Sequence, residues 1–447
     1  MIDSPLHRES DTTNTGETEQ QQIEIDAVVI GAGFAGLRTA RMLEEAGKTV
    51  VLLEGGERVG GRGYSRQSAI CPSIDVEVGG AYIHREHHPR VTAEIDRHGI
   101  AMQPSAPATA FRNKLGDNQV DSAWPVPIEE ISQAEAGLFK ALTDAHRIDL
   151  HAGLEYQGLD DLDIPLSSYI DSLNLPPVTR QLVESWSWNM MGQPVSEATA
   201  LWALQFIAAH HYSVFGVVLS IDEVFAGGTS TLAQAMANEL HDVRYSSVVT
   251  ALHQRDGYVV VHVNDEALHT RAVVLATPLN TWRGLDFDPP LPSPRAAVVA
   301  EGHGGRGLKL LVHVRNVPEG LSCTGDGVFP TLYEYRGAPD GSTILVAFTD
   351  SSSFDPTNFD DVCNAVHHYV AEAEVIGVDY HDWEQDPLFQ APWVSPKVGQ
   401  FTQAHKSLAD PHGAIFFAGS DVSLQFPGYI EGAMETAERA VSEILAN

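Results

Sequence analysis

Three glycines and one carboxylate carry the first chemistry in this chain. Gly31, Gly33 and Gly36 stand in the run Gly31-Ala32-Gly33-Phe34-Ala35-Gly36, and Glu54 follows eighteen residues beyond Gly36. The spacing suits a dinucleotide: Gly31 permits a tight turn, and Gly33 lets backbone meet a pyrophosphate with no side chain between them. Gly36 lets a helix lie close to a strand, and Glu54 can accept from both hydroxyls of a ribose while disfavouring a 2′-phosphate. A glycine motif alone is equally the mark of an ordinary turn, so its setting decides. Residues 25–30 (IDAVVI) form a β-branched run that reads as a buried strand. Leu37, Ala40 and Leu43 then recur at helical spacing, Gly47 is a plausible stop, and residues 49–53 read as a second strand ending at Glu54. The elements that must hold the motif are therefore present, with the helix N-terminus offering unpaired N–H groups to phosphate.

Two further glycine-rich segments favour a flavin dinucleotide over a nicotinamide cofactor. Gly55, Arg58, Gly61 and Arg62 follow Glu54 within GGERVGGR, and Gly79, Gly80, Ala81 and Tyr82 follow within DVEVGGAY. Paired glycines spaced by arginines suit backbone lying along an extended cofactor, with Arg62 placed for phosphate or carbonyl oxygens; surface loops with incidental glycines are the other reading. Near the far end, residues 414–417 read as a strand, followed by Gly419, Ser420 and Asp421. Phe426-Pro427-Gly428-Tyr429 then opens a last helix with Ile430, Ala433/Met434, Ala437, Ala440/Val441 and Ile444 on one apolar face. Its free N–H groups, if aimed at a flavin pyrimidine ring, would favour the anionic reduced form; on its own it is equally a packing helix.

These segments, with the strand-like AVVLATP of residues 272–278, resemble the flavin-dependent amine oxidases of the monoamine oxidase type. The resemblance covers nearly everything from about residue 24 onward. Residues 145–166, 188–194, 208–225, 301–315, 325–335 and 421–433 are closer still to bacterial members that oxidise hydroxylated nicotine. The resemblance implies an α/β fold in which a Rossmann-type FAD-binding domain is interleaved with an α+β substrate-binding domain. The cofactor domain would take residues 24–95, 222–283 and 405–447, and the substrate domain residues 96–221 and 284–404, after a disordered polar leader over 1–23. Val249 and Ala276 would add backbone contacts to FAD. Leu424-Gln425-Phe426-Pro427-Gly428 contains no cysteine, so the flavin is expected to be non-covalent. Ser420-Asp421 departs from the family's usual Glu-containing version, which leaves the contact of Asp421 with the ribityl or phosphate region open.

The implied chemistry removes a hydride from the carbon beside an amine nitrogen and delivers it to the flavin. The nitrogen lone pair stabilises the developing iminium, so no strong protein base is needed; the site must hold a neutral amine in the right orientation. By position Lys309 matches the family lysine that holds a water near the reactive flavin nitrogen, although a lysine in an apolar strand could also snorkel outward. Trp393 and Tyr429 match the aromatic pair flanking the amine, usually two tyrosines. Asn189 and Tyr333 align with residues near the substrate ring, where they could hydrogen-bond it or serve the core. Tyr82, Phe348 and His210 are weaker pocket candidates. The expected substrate is (S)-6-hydroxynicotine, oxidised at its pyrrolidine C–N bond to give 6-hydroxypseudooxynicotine and hydrogen peroxide. Nicotine, pseudooxynicotine or a polyamine are alternative substrates, a cytochrome or quinone is an alternative acceptor, and a non-catalytic flavoprotein is a third reading.

Composition bounds the partners. The 447 residues include 27 Lys plus Arg against 60 Asp plus Glu, for a formal net charge of -33. A nucleic-acid binder needs a basic footprint, and that balance argues against one; the charge reads mainly as a solubility feature. Cys71, Cys323 and Cys363 are scattered, with no CxxC pair, and fit a reducing compartment. The adjacent pairs His87-His88, His210-His211 and His367-His368 would not present two ligands to one metal on a helix or strand, and no metal is expected. The first 22 residues lack the apolar core of a signal peptide. No run approaches the roughly 18 apolar residues of a membrane span, so a cytoplasmic enzyme without membrane or nucleic-acid partners is expected. The resemblance adds molecular oxygen, S-selectivity and a homodimer as one assembly.

Overall fold

A computed structural model describes residues 24–116 and 118–446; the polar leader expected over 1–23 lies outside the described residues. Ile25–Ile30 forms a strand whose side chains alternate between two cores: Ala27 and Val29 enter one, Val28 and Ile30 the other. Burial on both faces is why this run is apolar without a polar alternate. It pairs in parallel with Val50–Leu53 on one side and with Glu266–Leu275 on the other. Ile415–Phe417 adds in parallel to Glu266–Leu275. Val243–Arg244 flanks Val50–Leu53, and an antiparallel meander through Tyr258–Val263 and Val249–Arg255 completes the sheet with Asp286–Asp288. Three distant stretches of chain thus build one sheet.

Helix Phe34–Glu45 covers one face, and the last helix, Ile430–Ala446, packs beside it. The apolar stripe of that last helix is the one its periodicity predicts: Ala433, Met434, Ala440 and Val441 are buried in the shared core, with Ile430 and Ile444 packed against its edge. A buried Met contributes about 1.5–3 kcal/mol, so this stripe fixes the helix firmly. Gly36 sets how closely the first helix approaches, because a Cβ there would lie 1.9 Å from the Gly31 carbonyl oxygen.

A second sheet has six strands, in the order Glu374–Tyr380, Gly307–Arg315, Thr343–Asp350, Thr331–Gly337, Leu321–Thr324 and Ala110–Phe111. Its strand Gly307–Arg315 is buried over every residue but the last. Helices between residues 131 and 209, including Pro177–Met191 and Ala200–Ala209, share a separate core centred on Trp202, Leu201 and Tyr169. No described helix is long and apolar enough to cross a membrane. The site lies between these layers, at the carboxyl ends of the parallel strands, where open α/β sheets place their ligands.

Candidate active site

The ends of four parallel strands deliver the cofactor-facing residues: Ile30 leads to Gly31, Leu53 to Glu54, Leu275 to Ala276, and Phe417 to Gly419. Gly31 has φ +99°, and a Cβ there would sit 2.9 Å from the Ala276 carbonyl oxygen, so the turn admits no larger residue. Gly33 differs: a Cβ there would have Gly61 Cα as its nearest protein atom, 3.8 Å away. The protein itself leaves that space free. Gly33 precedes the first helix with no side-chain cap and no acid in the first turn, which keeps the helix N-terminus favourable to an anion. Glu54 accepts the Ala32 and Gly56 N–H groups, each at 2.8 Å, and still faces the cavity.

The cavity has a volume of about 550 Å³ and runs from the glycine turn to the aromatic cluster. Along it the structure places Gly31, Gly33, Phe34, Ala35, Glu54, Gly55, Gly61, Arg62, Gly79, Gly80, Ala81 and Tyr82. Val249, Ala276, Gly419, Gly428 and Ile430 join them, and Asn189, Lys309, Tyr333, Phe348, Trp393 and Tyr429 line the same space. Among the expected residues, four stand off the wall. Gly36 packs helix against strand. Arg58 lies 3.8 Å over the Tyr64 ring and donates to the Gly61 carbonyl at 2.8 Å, so it braces the glycine loop. Asp421 accepts from Arg62 at 2.5 Å and from the Leu279 amide at 3.0 Å. It therefore orients a cavity residue and does not itself reach the cavity. His210 is fully buried behind Tyr429, its ring centroid 5.8 Å from the phenol, and burial pulls its imidazole down to about 4.

The residues fit a flavin dinucleotide. Arg62 donates through Nη2 to Ser420 and Asp421, while its Nη1 is buried without a hydrogen-bond partner among the described residues. A buried guanidinium nitrogen left unpaired is costly, and a pyrophosphate oxygen would satisfy it. The open face of Gly33 and the acceptor at Glu54 fit the rest of that group.

At the other end, Lys309 lies in the buried strand directly opposite Phe348. Its Nζ donates to the Gly79 carbonyl at 2.8 Å, and its side chain is nearly fully enclosed. Burial pulls the ammonium down to about 8, with the Glu77 carboxylate acting in the opposite direction. Glu77 is itself held by the backbone N–H and hydroxyl of Thr229, each at 2.8 Å. Snorkelling is thus not what this lysine does. Tyr82 and Tyr333 lie with ring centroids 6.4 Å apart, and burial pushes the Tyr333 phenol up to about 12. Both are neutral donors at ordinary pH.

The Trp393 indole is pinned. Its Nε1 donates to the Met190 carbonyl at 3.0 Å, its ring meets Phe348 edge-on at 6.1 Å, and Gly192 and Gly307 make room for it. A Cβ on either glycine would lie 2.6 Å from the indole. Tyr429 stands just before the last helix against Phe206, His88 and His210, with centroids at 5.3, 5.4 and 5.8 Å, and burial raises its phenol despite a hydrogen bond with Ser220. Asn189, in the last turn of helix Pro177–Met191, accepts from the Thr331 hydroxyl at 3.1 Å. The arrangement is a mostly apolar slot with a few fixed polar groups, suited to an organic amine held dry.

Sequence reasoning passed over Met190, Trp202, Phe206, Ser220 and Gln390, which also line the cavity, and the supporting Gly192, Gly307 and Thr331. Gly192 carried a detectable signal, since it ends a helix with φ +62°. Thr331 carried none.

Comparison with known proteins gives the same direction. The family model described as flavin containing amine oxidoreductase matches residues 34–445. (S)-6-hydroxynicotine oxidase of Paenarthrobacter nicotinovorans is 56% identical over 421 residues, covering 94% of this chain and 99% of that protein. Nicotine dehydrogenase of Pseudomonas putida is 28% identical, covering 97% and 90%. Putrescine oxidase bound to putrescine superposes with a TM-score of 0.85 at 20% identity, covering 95% of this chain and 99% of that one.

Proposed function

The chain belongs to the flavin-containing amine oxidoreductases, and from that premise we propose that it oxidises (S)-6-hydroxynicotine with molecular oxygen. The observation that carries the reading is the meeting, along one cavity, of the dinucleotide fingerprint with Lys309, Trp393, Tyr429, Asn189 and Tyr333. The likeness to the Paenarthrobacter enzyme supports the choice of substrate. In this reading residues 24–95, 222–283 and 405–447 form the cofactor domain, and 96–221 and 284–404 the substrate domain.

The helix N-terminus at Gly33 and the free nitrogen of Arg62 hold the pyrophosphate of FAD, and Glu54 holds its ribose. None of Cys71, Cys323 and Cys363 lines the cavity, which supports non-covalent binding. FAD supplies the acceptor for a hydride from the carbon beside the pyrrolidine nitrogen. Trp393 and Tyr429 confine the amine between two aromatic faces and exclude water, and that dry setting favours its uncharged form. Lys309, anchored on Gly79, holds a water and exchanges a proton at Nζ. Asn189 and Tyr333 hydrogen-bond the hydroxylated ring, and a buried polar pair of this kind rejects a ligand lacking the matching group. In the balanced reaction, one (S)-6-hydroxynicotine, one water and one oxygen give 6-hydroxypseudooxynicotine and hydrogen peroxide.

Side-by-side turnover of (S)-6-hydroxynicotine, (S)-nicotine, pseudooxynicotine and putrescine, with oxygen uptake and peroxide both followed, tests this. The expected result is the highest kcat/KM for (S)-6-hydroxynicotine with one peroxide per oxygen. A higher value for another amine removes the substrate assignment. Fast reduction without peroxide removes oxygen as acceptor.

A further inference from the structure

Thr331 opens the strand Thr331–Gly337 and is buried. Its hydroxyl hydrogen finds an acceptor at Asn189 Oδ1, 3.1 Å away, and no other acceptor for it exists among the described residues. A buried hydroxyl that does not donate leaves a polar hydrogen unsatisfied, so this bond dictates which way the amide faces. If the amide were reversed, its NH2 would donate to the Thr331 oxygen and the hydroxyl hydrogen would be stranded. Asn189 therefore turns its oxygen to Thr331, and its NH2 group, which has no partner among the described residues, remains for the cavity that Asn189 lines. Tyr333 lies two residues along the same strand, on the same face, roughly 6–7 Å away, and it also lines the cavity.

We infer that Thr331 is a positioning residue that locks the Asn189 amide with its donor toward the substrate, so that the site reads an oxygen acceptor on the ring. This rests on the ring-binding role proposed above for Asn189. It makes the C6 oxygen of the ring the feature selected, since that oxygen can accept from the Asn189 NH2 as a hydroxyl or as a pyridone carbonyl.

Two variants, Thr331→Val and Thr331→Ser, test the inference in the holoenzyme. The first removes the hydroxyl at nearly constant volume and the second keeps it. Two ratios are read: kcat/KM for (S)-6-hydroxynicotine over (S)-nicotine, and the affinity for 2-pyridone over pyridine, followed by perturbation of flavin absorbance. Thr331→Val is expected to lower both ratios by about tenfold, and Thr331→Ser to keep both within about twofold of the parent. A purely structural role would depress both members of each pair together and leave the ratios unchanged, and that result overturns the inference. So does a Thr331→Ser enzyme as unselective as Thr331→Val. Should Thr331→Val fail to fold, Asn189→Asp replaces the donor with an acceptor while still accepting from Thr331; retention of the pyridone preference there overturns the inference equally. A parent enzyme that prefers 2-pyridone yet leaves 6-hydroxynicotine unoxidised removes the proposed substrate and leaves the role of Thr331 standing.

Discussion

Asp421 holds Arg62 through a 2.5 Å ion pair, and that pair leaves Arg62 Nη1 buried at the cavity without a protein partner among the described residues. The other Asp421 oxygen accepts the Leu279 amide at 3.0 Å, so the carboxylate is fixed from both sides. Burial opposes its ionisation, yet the charge of Arg62 keeps Asp421 below the usual carboxylate range. The arginine is thus aimed before any cofactor arrives.

Asp421→Asn keeps the shape and removes the charge. FAD affinity, measured by equilibrium ultrafiltration, should fall by about tenfold, the loss expected when a charge-assisted contact loses its preorganisation. An unchanged Kd would show that Arg62 needs no such aiming.

The glycines of the fingerprint separate into two kinds. At Gly36 a Cβ would lie 1.9 Å from the Gly31 carbonyl oxygen, whereas at Gly33 its nearest neighbour is 3.8 Å away. Gly36→Ala should therefore misfold or lose more than about 3 kcal/mol of stability, the scale of overpacking against backbone. Gly33→Ala should fold as an apoprotein with the parent's melting temperature and lose FAD affinity by at least about tenfold. Tight FAD binding by Gly33→Ala would mean that no phosphate approaches that backbone.

Lys309 loses its proton at about 8 in the folded protein, against 10.5 for an ordinary lysine. Between those values the unfolded chain binds more protons, so stability rises with pH through that window; below pH 8 the fold carries the full cost of a buried ammonium. Lys309→Met should remove that cost, raising the melting temperature most near pH 7, with the difference shrinking as pH rises past 8. The variant should keep its FAD and oxidise amine more slowly. A stability difference independent of pH would contradict the buried-ammonium account, and unchanged kinetics would take Lys309 out of the mechanism.

Gly307 gives way to the Trp393 indole, with a Cβ there falling 2.6 Å from its Cη2. Gly307→Ala should displace the ring and lower kcat/KM by about tenfold or more while FAD remains bound, since small misplacements at the reacting centre are expensive. If activity survives intact, the indole is not the wall of the slot.

The cofactor end was legible because its demands are local. One turn, one helix start and one acid lie within thirty residues, and each has a sequence signature. The apolar face of the last helix was legible from its periodicity, since Ala433, Met434, Ala440 and Val441 enter the core; the burial of Glu431, Glu435 and Thr436 around its first turns was not. The aromatic slot was not legible from spacing, because Trp393, Met190 and Gly307 meet only through tertiary packing, and it was the family resemblance that singled out Trp393 and Tyr429. Asp421 was assigned to the cofactor through the family's motif and Arg58 through its place in the glycine-rich loop; in the fold Asp421 accepts from Arg62, and Arg58 donates to the Gly61 carbonyl. Thr331 left no trace, because a threonine at a strand start is ordinary until the partner of its hydroxyl is known.

The most direct test mixes the yellow holoenzyme anaerobically with each enantiomer of 6-hydroxynicotine and follows flavin absorbance. Rapid, complete bleaching by the S enantiomer, with the R enantiomer much slower, is the predicted result. A flavin that stays oxidised with both enantiomers would contradict the assignment.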